Sequence, residues 1–123
     1  MTDTNDDTAA VLDVAKLYYD GMHGADEAKL RRAFHPKAAI VGNFDGDVTW
    51  LSVDDFVEEC RSVHDRVGTY GCKLESLDLV GDTAVARFGG WFIDIWFSDY
   101  LAMLKTSEGW SIVHKTFYAH PRT

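Results

Sequence analysis

The chain has 123 residues, 46% hydrophobic and 13% aromatic, which excludes a disordered tract and is enough for one domain with a real core. Twelve basic against twenty acidic residues leave a net charge of −8, which argues against nucleic-acid or anionic-membrane binding, since both need a positive surface. The start, Met1 to Asp7, is polar and acidic, unlike a signal peptide, and no apolar run is long enough to span a bilayer, so a cytoplasmic protein is expected.

Residues 1–7 are expected to form a flexible tail, with a single domain over 8–123. Asp7 or Thr8 can cap a first helix on which Val11, Val14, Ala15, Tyr18 and Met22 recur at three- and four-residue spacing, up to Gly21 and Gly24. A second helix, about Asp26 to Phe34, turns Leu30, Ala33 and Phe34 inward, and His35-Pro36 stops it because a residue before proline is pushed out of the helical region. Ala38 to Gly42 reads as a strand, Asp45-Gly46-Asp47 as a turn and Val48 to Leu51 as the returning strand. Ser52, with Asp55 three residues on, approximates a capping box for a third helix, Val53 to about His64. Four strands follow: Lys73–Val80, Thr83–Phe92, Trp96–Thr106 and Trp110–Ala119. Helices first and an antiparallel meander after them is the order of an α+β domain with helices on one face of a curved sheet.

In the last strand, strict alternation puts Trp110, Ile112, His114, Thr116 and Tyr118 on one face. A histidine there is either a core residue with a satisfied partner or the polar group of a pocket. Asp99 shares a face with Phe97, Leu101 and Met103, where it either pairs with Lys115 or Arg87 or enters a pocket. Tyr18 and Met22 lie on the inward face of helix one; most such tyrosines are amphipathic core residues. Trp50, Phe56, Trp91, Trp96, Phe117 and Tyr118 offer more aromatic surface than a small core needs, and divide between pocket, core and interface. Phe117 and Tyr118 must point opposite ways. Cys60 and Cys72 lack metal spacing and read as reduced thiols, and the histidines His23, His35, His64 and His120 show no spacing for a metal site. Gly89-Gly90 reads as a strand bend or bulge, and no phosphate loop or nucleophile elbow is present.

The element order, with Tyr19-Asp20-Gly21, Phe34-His35-Pro36, Asp54-Asp55-Phe56, Gly81-Asp82-Thr83, Phe97-Ser98-Asp99-Tyr100 and Trp110-Ser111-Ile112-Val113-His114-Lys115, resembles the nuclear-transport-factor-two-like superfamily, and within it the bacterial "putative lumazine-binding" group. The resemblance spans about residues 9–119 and implies a cystatin-like cone, a curved sheet wrapped around the helices, with an internal pocket and a homodimer packed through the outer sheet face. It implies a small hydrophobic or planar ligand, bound without cofactor. The ligand-binding residues expected on this basis are Tyr18, Met22, Phe34, His35, Trp50, Phe56, Trp91, Asp99, Leu101, Ile112, His114 and Tyr118.

Three functions fit this reading: a small-molecule-binding protein, a cofactor-independent cyclase, dehydratase or isomerase, or a non-catalytic association module. The enzyme would use His114 as acid or base, Asp99 as its orienter and Tyr18 as donor to an oxyanion. Steroid-isomerase-like members of the superfamily place a carboxylate base at the end of the first strand, where this chain has Gly42-Asn43.

Overall fold

A computed structural model describes residues 4–121; residues 1–3 and 122–123 lie outside the described residues. Three helices and six strands follow in the order α1 (Thr4–Gly24), α2 (Glu27–Ala33), β1 (Phe34–Phe44), β2 (Asp47–Ser52), α3 (Val53–Val63), β3 (Tyr70–Val80), β4 (Thr83–Phe92), β5 (Ile95–Thr106) and β6 (Gly109–Ala119). The strands make one sheet in the order β2-β1-β6-β5-β4-β3, with β1 and β6 parallel and every other pair antiparallel. The sheet is curved and open, and it cups the helices as a cone.

Helix α1 starts earlier than its apolar spacing suggests, so residues 4–7 of the expected tail are its first turn and only residues 1–3 fall outside the described chain. The reason is tertiary: the Asp7 carboxylate accepts from Lys105 Nζ (3.0 Å) and Trp110 Nε1 (3.2 Å), tying the helix to the β5–β6 hairpin. An acidic first turn also complements the helix dipole. At the other end Gly21 lets α2 approach closely, since a Cβ there would lie 3.0 Å from the Lys29 Cβ and 3.1 Å from Leu30 Cγ. Asp26 caps α2 through the Lys29 N–H, and Ser52 with Asp55 forms a complete capping box on α3. Val53, Phe56, Val57 and Cys60 then present one buried stripe of α3 to the sheet.

Strand β1 runs longer than the apolar run Ala38–Gly42. Its pairing with β6 shifts between Phe34 and Ala39, so His35, Pro36 and Lys37 bulge out of the ladder. His35 Nδ1 accepts from the Lys37 N–H at 3.0 Å, which closes this bulge. Gly89 and Gly90, expected at a bend, pair regularly with Ser98 and Phe97; the irregularity lies instead in β3, between Leu74 and Ser76. A Cβ at Gly89 would lie 2.4 Å from Cζ2 of Trp96, so the glycine makes room for that indole on the outer face.

Candidate functional site

The decisive local event is in β6. Its register with β5 shifts where Ala102 faces His114 and Met103 faces Ile112, leaving Val113 as an extra residue. One extra residue reverses the alternation beyond it. Trp110 and Ile112 therefore point inward before the bulge, whereas Lys115, Phe117 and Ala119 do so after it. His114 is moved to the outer face, where its Nδ1 meets Thr116 Oγ1 at 3.0 Å in an exposed contact. Lys115 takes the inward place expected for His114.

Lys115 is 4% exposed and sits between Ile40 of β1 and Leu101 of β5 in the ladder. Its Nζ donates to the Tyr18 hydroxyl and lies 5.0, 4.9 and 5.0 Å from the ring centroids of Tyr18, Phe56 and Phe117. The rings of Phe56 and Phe117 at that range stabilise an ammonium by cation–π attraction, whereas Tyr18 meets it with its hydroxyl. Among the described residues Lys115 has no ion-pair partner. The Tyr18 hydroxyl passes its own proton toward Met22 Sδ (3.3 Å), and burial holds the phenol well above its ordinary pKa, with the Asp99 charge adding to that.

Asp99 is 2% exposed. It lies opposite Phe88 on one side and Phe117 on the other, so it is diagonal to Lys115 across the β5–β6 ladder. Diagonal neighbours are about 7–8 Å apart at the backbone. Neither salt bridge expected for Asp99 forms: its Oδ2 accepts from the Tyr19 hydroxyl at 2.7 Å, and its Oδ1 is buried with no hydrogen-bond partner. Burial, then the Asp99 charge, raises the Tyr19 pKa, which keeps that phenol a neutral donor. Both tyrosines of the Tyr18-Tyr19 pair are buried, and it is Tyr19 that holds the carboxyl group.

Lys115, Asp99 and Tyr19 line a cavity of about 600 Å³ inside the cone. Tyr19, Asp99, Lys115 and Cys60 supply its polar atoms at depth, and Ile40, Leu51, Phe56, Phe97 and Phe117 its apolar wall. Asp47 and Thr49 of β2, Glu59 and Arg66 near the end of α3, and Ile93 of the β4–β5 turn reach its rim. The volume suits a ligand of two or three fused rings. Burial pushes the Cys60 thiol up to about 11, against a smaller opposing pull from Lys115, so it is an unreactive wall residue. Among the described residues both cysteines are free, and no cluster of His, Cys, Asp or Glu is arranged to hold a metal.

Of the residues expected to bind ligand, Met22, Phe56, Trp91 and Asp99 line this cavity. Tyr18, Phe34, Leu101 and Ile112 are inward but completely packed in the core beneath it, and Tyr18 reaches it only through Lys115. Four are placed elsewhere. His114 and Tyr118 are turned out by the β6 bulge, His35 by the β1 bulge, and Trp50, opposite Val41 and 72% exposed, by the parity of β2. The steroid-isomerase position at the end of β1 is closed for a steric reason. A Cβ on Gly42 would lie 2.3 Å from the Phe117 carbonyl oxygen and 2.5 Å from its Cγ. The cavity's carboxyl group comes from β5 instead.

A family described as "putative lumazine-binding" matches residues 6–118. The chain belongs to that family. A nuclear-transport-factor-two-like protein of unknown function from Silicibacter pomeroyi superposes with a TM-score of 0.90 at 27% identity, covering 97% of this chain and 100% of that one. A similar protein of unknown function from Shewanella baltica gives 0.83 at 26%, over 99% and 100% of the two chains. A ketosteroid isomerase-like protein from Erwinia carotovora, at 14% identity and TM-score 0.76 over 96% and 99%, shares the fold. In sequence the chain is 25% identical to the aldolase FrzH of a Cladobotryum species, over 97% of this chain and 96% of that protein.

Proposed function

We propose that the protein binds a small, flat, largely apolar carbonyl compound in the cone and moves a proton at the carbon beside its carbonyl, with no cofactor. One observation carries this reading: Asp99 Oδ1 is buried in the cavity wall with nothing to bond, while Oδ2 is fixed by Tyr19. A buried, unpaired carboxyl oxygen costs stability, and a ligand C–H or O–H at that point would give it a partner. Held by one oxygen and free at the other, Asp99 is positioned as an acid–base group, and Lys115 as the cation facing a carbonyl oxygen. The family's description names a flat bicyclic ligand, lumazine, and the relative FrzH is named an aldolase; both support a flat guest and carbonyl chemistry. His114, whose role the sequence suggested, has no part in this mechanism.

The test uses 2-acetonaphthone, a flat ketone with exchangeable α-hydrogens. In D2O the protein should exchange its methyl protons, read by NMR, and Asp99→Asn should slow this by roughly 100-fold or more. Quenching of tryptophan fluorescence by the ketone should persist in Asp99→Asn. Equal exchange in wild type and variant would refute the assignment.

A homodimer is the partner this reading favours. Val48, Trp50, Val85, Tyr100 and Tyr118 are 45–75% exposed on the outer sheet face, an apolar surface of the kind that marks an interface. Tyr100→Glu should halve the mass seen by light scattering.

A further inference from the structure

We infer that Lys115 is a covalent centre, whose Nζ condenses with the carbonyl carbon of the ligand to form an iminium; this rests on the function proposed above and names its chemistry. Three observations lead there. Lys115 is buried in the cavity wall, its one polar protein contact is the Tyr18 hydroxyl, and no carboxylate pairs with it among the described residues. A lysine kept only to bind an anion would be met in this cavity by the carboxyl group of Asp99 on the neighbouring strand, which repels that anion. A carbonyl compound satisfies both groups at once: its carbonyl carbon faces Nζ and its α-hydrogen faces Asp99 Oδ1.

The atoms balance without a cofactor. The ammonium gives up one proton, and the nitrogen lone pair adds to the carbonyl carbon. A C–N bond forms as the C=O π bond opens, and the oxygen takes that proton. The resulting carbinolamine loses its oxygen as water and becomes an iminium. Ammonium plus carbonyl has thus become iminium plus water with the same single positive charge. The rings of Phe56 and Phe117 beside the ammonium can therefore stabilise the iminium as well. The iminium draws electrons from the α-carbon, so Asp99 accepts the α-proton and a neutral enamine forms. The enamine carbon either takes the proton back from Asp99 or bonds to the carbonyl carbon of a second, aldehyde group, whose C=O π bond opens and whose oxygen takes the proton that Asp99 holds; either way the iminium re-forms, and water then hydrolyses it and frees the lysine.

The placement of Tyr18 explains why this lysine and not another reacts. The Tyr18 oxygen accepts one Nζ hydrogen and directs its own toward Met22 Sδ, which orients the nitrogen without a competing charge. Lys16 and Lys105, by contrast, are held in ion pairs with Asp20 and Asp7.

The experiment traps the iminium. Wild-type protein is mixed with 2-naphthaldehyde and reduced with sodium borohydride, which adds hydride to the C=N bond and fixes the naphthylmethyl group on nitrogen. Intact mass and peptide mapping should show one such group per chain, on Lys115. Lys115→Arg keeps the charge but forms no imine; it should lose the label while circular dichroism shows the native melting transition. No label on the wild-type protein, or label confined to Lys16, Lys37, Lys73 or the N-terminus, would overturn the inference. The α-proton exchange of 2-acetonaphthone separates the two claims. Exchange that depends on Asp99 but survives Lys115→Arg means that the carbonyl is activated without a covalent bond, so the function stands and this inference falls. Label on Lys115 with no exchange in wild type means the reverse.

Discussion

If Asp99 is kept for its chemistry, removing it together with its partner should not weaken the fold. The carboxyl group is 2% exposed, with Oδ2 bonded to Tyr19 at 2.7 Å and Oδ1 unbonded. A hydrogen bond to a charged group contributes about 1.5–3 kcal/mol, and a buried acceptor left alone costs about 1–3 kcal/mol. Tyr19→Phe removes the one bond and leaves both carboxylate oxygens unpaired, so it should destabilise by about 2–3 kcal/mol, a fall in Tm of roughly 8–12 °C for a domain of this size. Adding Asp99→Leu to that variant removes the stranded carboxylate and places a hydrocarbon between Phe88 and Phe117. The double variant should recover the whole loss and melt at or above the wild-type temperature, because two apolar groups replace a half-satisfied polar pair. Its α-proton exchange should be abolished. Thermal unfolding by circular dichroism, with urea titration as a second measure, decides it. A double variant less stable than Tyr19→Phe would refute the reasoning, since Asp99 would then be a structural asset.

Other consequences follow from single contacts. Asp7 is held below the usual carboxylate range, chiefly by its hydrogen bond to Lys105, so its contribution is complete above about pH 4 and is lost as pH falls through its lowered value; urea midpoints at pH 6 and pH 3 should differ less in Asp7→Asn than in wild type. Gly42→Ala should lower stability by about 1–3 kcal/mol in urea melts, because the new methyl meets the Phe117 backbone and ring. With a thiol disulfide reagent at pH 8, exposed Cys72 should react quickly and Cys60, pushed up to about 11, only at the rate of unfolding.

Elements were legible in the sequence wherever local chemistry decides them. The Ser52–Asp55 box and the strands from Thr83 onward are set by capping groups and by alternation, and they stand where those signals put them. The inward face of β5, with Asp99, Leu101 and Met103, was legible for the same reason. The site itself turned on a feature with no local signal. Nothing in Ile112-Val113-His114-Lys115 announces that Val113 is surplus; the bulge arises from matching β6 to both β5 and β1 around the helices. Strict alternation therefore assigned His114 to the position that Lys115 holds. Tyr19 escaped notice for a related reason. The buried face of α1 is wide enough to take adjacent residues, and only the approach of β5 shows which tyrosine meets Asp99. Asp7 belonged to neither pattern, since its partners are about a hundred residues away in sequence.

The central claim is that Asp99 and Lys115, and not His114, meet the ligand. A crystal structure of the protein soaked with 2-acetonaphthone tests it most directly. The account predicts the naphthalene ring between Phe56 and Phe117, the carbonyl carbon against Lys115 Nζ and the methyl group against Asp99 Oδ1. A ring bound on the outer sheet face beside His114, or a cone that stays empty while the ketone quenches tryptophan fluorescence, would contradict it.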